Sequence, residues 1–404
     1  MQGPYYTGGT PIAAEHADMF RKSGLGELCE FCRETDSAKT VHEEHTPMAR
    51  RRAIRPFALA LFMVISTQLV PAQQPAGQRG QPGVPAPAAA GRGAQAPRES
   101  RIVKLDPALD AIVPPGALLE KVAGGFGFAE GPVWTKQGSL LFSDIPGNTI
   151  VRLMPNGEST PFRRPIYYGT DYRQGFHIGS NGLTLDREGR VVIAEHGNRR
   201  ITRLETTGEL TVLADKYDGK RLNSPNDLVV KSDGAIYFTD PPYGLPRQND
   251  DPAKEIPFSG IYRIANGRLG LVSKDVPWPN GIAFSPDEKS LIVANSDPMN
   301  RVWMRFEVKA DGTLGAPTPF YTVPADGPPG IPDGLKVDAN GNLFGTGPGG
   351  VWIISRDGKA LGRIEPPEVP ANVAWGDDGK TLYMTARSSV YRIRLTTSGK
   401  QPCC

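Results

Sequence analysis

Six polar residues stand at the heads of six similar stretches: Glu130 (EGPVWTKQGSLLFSD), Asn181 (NGLTLDREGRVVIAE), Asn226 (NDLVVKSDGAIYFTD), Asn280 (NGIAFSPDEKSLIVAN), Asp333 (DGLKVDANGNLFGTG) and Asn372 (NVAWGDDGKTLYMTA). They recur at intervals of 51, 45, 54, 53 and 39 residues. Each carries a side-chain oxygen, and Glu130 and Asp333 add formal negative charge. Brought together, they would form a hard-oxygen donor set without a thiolate, which suits Ca²⁺ first, then Mg²⁺ or Mn²⁺, with Zn²⁺ the outlying option. Two carboxylates would balance a divalent cation. The competing explanation is local, because Asn and Asp side chains also cap turns. It suits Asp233, Asp338 and Asp378, each in the second turn of its stretch, and fits Glu130 poorly.

The elements that would position these residues follow from the same repeat. Each head residue precedes an alternating apolar strand, a turn usually written DG or EG, and a second strand. A third strand with its own turn follows, as in TIVRLMPNG and GIYRIANG. Short strands at this period, four to a unit, predict an all-β, six-bladed β-propeller over residues 101–400. The 47 Gly and 39 Pro residues agree with so many turns. Residues 117–123 are expected to supply the outer strand that closes the ring. Because the first strand of each blade lines the central channel, the six head residues should lie at one height around its axis.

The motifs AEGPVW, SPND, PNGIAFSPD and PDGLKVD, in this order over residues 115–395, resemble the SMP-30/gluconolactonase/LRE-like family of calcium-dependent six-bladed propellers. The resemblance implies metal-ligand roles for Glu130, Asn280 and Asp333, and a metal or substrate role for Asn226. It places Asn181 near the substrate and makes Asp333 the proton donor and acceptor. It also implies a lactone-opening hydrolase of the gluconolactonase kind, whose cation polarises the lactone carbonyl. The chain departs from the Arg-x-Asn substrate motif of part of the family, since Ser224 stands two residues before Asn226. Hydrolysis of another ester or an organophosphate at the same metal, or a non-catalytic binding platform, are the alternatives.

Other chemistry has less support. After residue 72 the histidines are His177 and His196, and neither sits in a GxSxG-type nucleophile motif. His196 follows the second strand of blade two, and Tyr243 (in DPPYG) that of blade three; both are candidate pocket walls. His177 lies in an aromatic insertion, RRPIYYGTDYRQGFHIG, that reads as a loop or a lid. The 46 basic and 43 acidic residues give a net charge of +3, and the visible basic cluster lies outside the repeat, so no nucleic-acid surface is expected.

That cluster, Arg50, Arg51, Arg52 and Arg55, precedes an apolar run at 57–65 and a small-residue stretch ending at Ala72. Residues 48–72 thus read as a signal peptide starting at Met48, and predict export to the periplasm or medium without a stable membrane span. Residues 1–47 are expected to be an extension preceding the true start. Residues 73–100, poor in large apolar side chains, are expected to be a disordered tether. Within the extension, Cys29, Cys32, His42 and His45 have gaps too short for a zinc finger. The remaining cysteines are Cys403 and Cys404, so no disulfide inside the repeat is expected.

Overall fold

A computed structural model describes residues 99–169 and 178–400. The extension, the signal peptide, nearly all of the tether, His177 and the terminal cysteines lie outside the described residues. All described residues fall in one unit. Among them, no helix is long and apolar enough to cross a membrane.

Six antiparallel sheets carry the repeat, each starting at the axis. The inner strands are Ala129–Trp134, Ser180–Leu185, Leu228–Val230, Pro279–Phe284, Leu335–Val337 and Pro370–Gly376. The fold is the expected six-bladed propeller. Blades one to four take their four strands from consecutive sequence. Blade six is completed by Glu120–Gly124, which pairs with Ser389–Arg394 and so joins the two ends of the ring. Arg392 adds a two-pronged ion pair to Glu120 across that seam. Blade five departs from four strands: Arg101–Lys104 pairs with Ala360–Glu365 as a fifth.

Strand alternation sends successive side chains to opposite faces of a blade, and each face packs on a neighbouring blade. In blade one, Val133, Leu141 and Ile150 meet Leu183 and Ile193 of blade two. From the same strands, Trp134, Leu140 and Phe142 meet Ala374 and Tyr383 of blade six. The same arrangement links every adjacent pair, giving six interblade cores in a closed circle. The core between blades five and six also takes Leu109, Ile112 and Val113 from the segment following the added strand.

Candidate active site

In each blade the strand ladder is interrupted at the head residue. Register shifts fall between Glu130 and Val133, Ser180 and Leu183, Pro279 and Ile282, and Pro370 and Asn372. In blades three and five the regular inner strand starts two residues after Asn226 and Asp333. Such irregularities re-aim a side chain that regular pleating would send into an interblade core.

The residue after the head is glycine in four copies, and the reason is close approach. A Cβ on Gly131, whose φ is +55°, would lie 2.0 Å from the carbonyl oxygen of Asn181. A Cβ on Gly334 would lie 2.0 Å from the side chain of Asn372. Neighbouring inner strands therefore touch through their backbones: Gly182 N donates to Asn226 O at 2.7 Å and Gly334 N to Ala371 O at 2.8 Å. Hydroxyls on the second strands reinforce this. Ser143 donates to Asn181 O, Thr239 to Asn280 O and Thr346 to Ala371 O, at 2.7 to 2.8 Å.

Residues at the end of the second strand hold the loops that deliver the head residues. Asp144 accepts from Gly127 N and Phe128 N, Asp240 from Asn223 N and Ser224 N, and the Asn295 amide oxygen from Trp278 N. Asp240 is wholly buried, and burial pushes its carboxyl up to about 7 against the pull of those two amides.

The head residues form a contacting set in part. Asn372 Nδ2 donates to Glu130 Oε2 at 3.1 Å. The Asn280 amide donates to Ser296 Oγ at 3.0 Å and lies near enough to Asp333 to favour its ionised form. Burial first, then the neighbouring charge of Asp227, pushes Glu130 up to about 7. Burial first, then the Glu130 charge, raises Asp333 well above the usual carboxylate range. These acids are thus close enough to repel each other across the axis. Asn181 and Asn226 are buried at the corresponding positions of blades two and three. Among the described residues, no three acidic, histidine or cysteine side chains stand ready-grouped around a metal position. The amide oxygens of Asn226 and Asn280 would have to complete a ligand set. The convergence of buried acids and amides is chemically suited to a hard cation.

Tyr243 lies beside this set. Its ring stacks on Trp278 with centroids 5.9 Å apart, and its hydroxyl donates to Trp278 O at 3.3 Å. Burial raises its phenol above the ordinary value, and Asn280, Ser296 and Asp333 all act on it. His196 is buried next to the same loop, where a Cβ on Gly244 would come within 2.9 Å of His196 Cβ and 2.7 Å of Ser224 Cβ. The turn PPYG thus carries its glycine because His196 and Ser224 crowd it.

Two residues go beyond the sequence expectation. Asp227, 1% exposed, is a third axial carboxylate, so the count of two acids is corrected to three. Asn372 Nδ2 lies 3.4 Å from its Oδ2, and Lys336 Nζ 3.9 Å. A signal was available: the other copies carry Gly or Val where Asp227 stands, and Val133, Thr184, Val229, Ala283 or Trp375 at the position of Lys336. Asp233, Asp338 and Asp378 each accept a backbone amide two residues on, which is the turn role expected of them.

The blades and the polar axial mouth define a six-bladed propeller with a buried acidic and amide site. The chain belongs to the SMP-30/gluconolactonase/LRE-like family, whose characteristic region matches residues 128–388. A gluconolactonase of Zymomonas mobilis is 37% identical over 311 residues, covering 74% of this chain and 87% of its own. The solved gluconolactonase of Xanthomonas campestris is 31% identical with a TM-score of 0.64, over 74% of this chain and 96% of its own. A structural-genomics target named as a candidate gluconolactonase shares 31% identity with a TM-score of 0.66, over 74% of this chain and 100% of its own.

Proposed function

We propose that the protein is a hydrolase that opens a lactone of the sugar-acid type, using a divalent cation, calcium first, at the mouth of the propeller axis. The observation that carries this reading is the axial set Glu130, Asn280 and Asp333, in which the Glu130 charge raises the proton affinity of Asp333 and the Asn280 amide acts on the same carboxyl. Similarity to gluconolactonases supplies the reaction class.

Glu130, Asn226, Asn280 and Asp333 would hold the cation, which when bound would act as a Lewis acid towards the lactone carbonyl. The Asp333 carboxylate takes a proton from the attacking water as the new C–O bond forms. It returns that proton to the ring oxygen as the acyl C–O bond breaks, leaving the hydroxy acid. A positioned carboxylate is among the usual groups for such a paired transfer. Tyr243, stacked on Trp278, would form one wall of the substrate space, with His196, Asn181 and Asn226 as further substrate contacts.

The test is a panel of sugar and aliphatic lactones assayed with the wild type and Asp333→Asn. The variant should lose at least about 100-fold in kcat/KM, the usual scale for a lost acid-base group. Wild-type turnover of no lactone, or full activity in Asp333→Asn, contradicts the assignment. Export by residues 48–72 is part of the same proposal, and N-terminal sequencing of the secreted protein checks it.

A further inference from the structure

Glu130 and Asp227 are buried at the axis and Asp333 is half-buried near them, three acids of which a divalent cation offsets only two. Glu130 and Asp227 are 3% and 1% exposed, and both receive the Asn372 amide. A third charge left unpaired in such a place would be costly. The chain supplies its own partner: Lys336 Nζ stands 3.9 Å from Asp227 Oδ2 and donates to Leu335 O at 2.9 Å. Beyond the head residues, an axial cavity of about 340 Å³ is lined by all six inner strands. Lys336 is part of its wall, together with Val133, Leu185 and Val230, so the lysine stem runs where the other blades present mainly apolar side chains.

We infer that Lys336 is the charge-setting residue of the axial site: an internal cation that holds the Glu130–Asp227–Asp333 set at two net negative charges and so matches it to a divalent ion. This rests on the metal-binding reading above. Neither Lys336 nor Asp227 need touch the ion. Lys336 is a positioning residue that acts through Asp227 and through its field, while Asp227 shares the Asn372 amide with Glu130. With Lys336 uncharged, the site would carry three negative charges and gain affinity for a trivalent ion relative to a divalent one.

The experiment compares Ca²⁺ and La³⁺ binding by calorimetry on the chelator-treated full chain. Lys336→Met should raise the La³⁺-to-Ca²⁺ affinity ratio by at least about tenfold, the scale of one unit charge several ångströms away at a protein-like dielectric. Lys336→Arg should keep the ratio within about twofold of wild type, because the charge is retained. The double variant Asp227→Asn/Lys336→Met restores two net negative charges and should restore the ratio. Thermal unfolding of each metal-free variant establishes that it folds. Should Lys336→Met not fold, Asp227→Asn alone carries the test, and must lower the ratio. An unchanged ratio in a folded variant that still binds Ca²⁺ overturns the role of Lys336 and leaves the metal reading standing. Failure of the wild type to bind either ion overturns both.

Discussion

At the scale of single residues, the site is a problem of buried charge. Glu130 titrates at about 7 rather than its ordinary 4.5, chiefly because burial penalises its ionised form, and Asp333 is raised for the same reason. On the proposed reading a cation displaces these protons, so calcium affinity should rise with pH through the range around 7 in which Glu130 gives up its proton. The slope should approach about tenfold per pH unit for each proton displaced. The stability of the metal-free protein should move the opposite way. The folded state keeps protons on Glu130 and Asp333 that the unfolded chain releases, so the contribution of these two groups is greatest below the ordinary carboxylate range and falls as pH rises towards 7. Calorimetry at pH 5.5 and 7.5 checks the first trend and metal-free thermal melts the second; calcium affinity that is flat with pH would count against proton displacement. Glu130 and Asp333 were legible as repeat positions in the sequence. Asp227 was harder to see, because its significance depends on which neighbours face it across the axis, and sequence spacing does not encode that.

At the scale of elements, the blade is a device for holding one irregular residue at the axis. The acid or amide at the end of the second strand anchors the incoming loop in blades one, three and four. Asp240 is the most buried of these anchors, and Asp240→Ala would strand the amides of Asn223 and Ser224 just before Asn226. We expect a loss of about 2–4 kcal/mol in unfolding free energy, the usual cost of two charge-assisted hydrogen bonds with their donors left unpaired. Calcium affinity should weaken as the Asn226 loop loosens. Urea denaturation and calorimetry read the two effects, and an unchanged denaturation midpoint would contradict the anchoring role. The strand order and the turn aspartates could be read from alternation and DG pairs. The register shifts at Glu130 and Asn280 could not, since a bulge leaves no mark on the polar–apolar pattern beyond the glycine that follows it.

At the scale of the whole molecule, stability is distributed over six interblade cores that depend on ring closure. The closing strand was expected at residues 117–123 and is observed at Glu120–Gly124. The fifth strand of blade five, Arg101–Lys104, was not expected, because it stands alone at the edge of a low-complexity segment and belongs to no repeat. Leu109, carried in behind it, is 2% exposed in the core between blades five and six. Leu109→Ala should cost about 2–5 kcal/mol, as for other buried leucines, and lower the denaturation midpoint without changing calcium affinity. The most direct test of the central claim is a calcium titration of the chelator-treated protein, with heat and lactone hydrolysis followed in the same samples. One ion should bind per chain and hydrolysis should rise in step with its occupancy, whereas hydrolysis that proceeds at full rate without bound ion would contradict a metal-dependent site at the propeller axis.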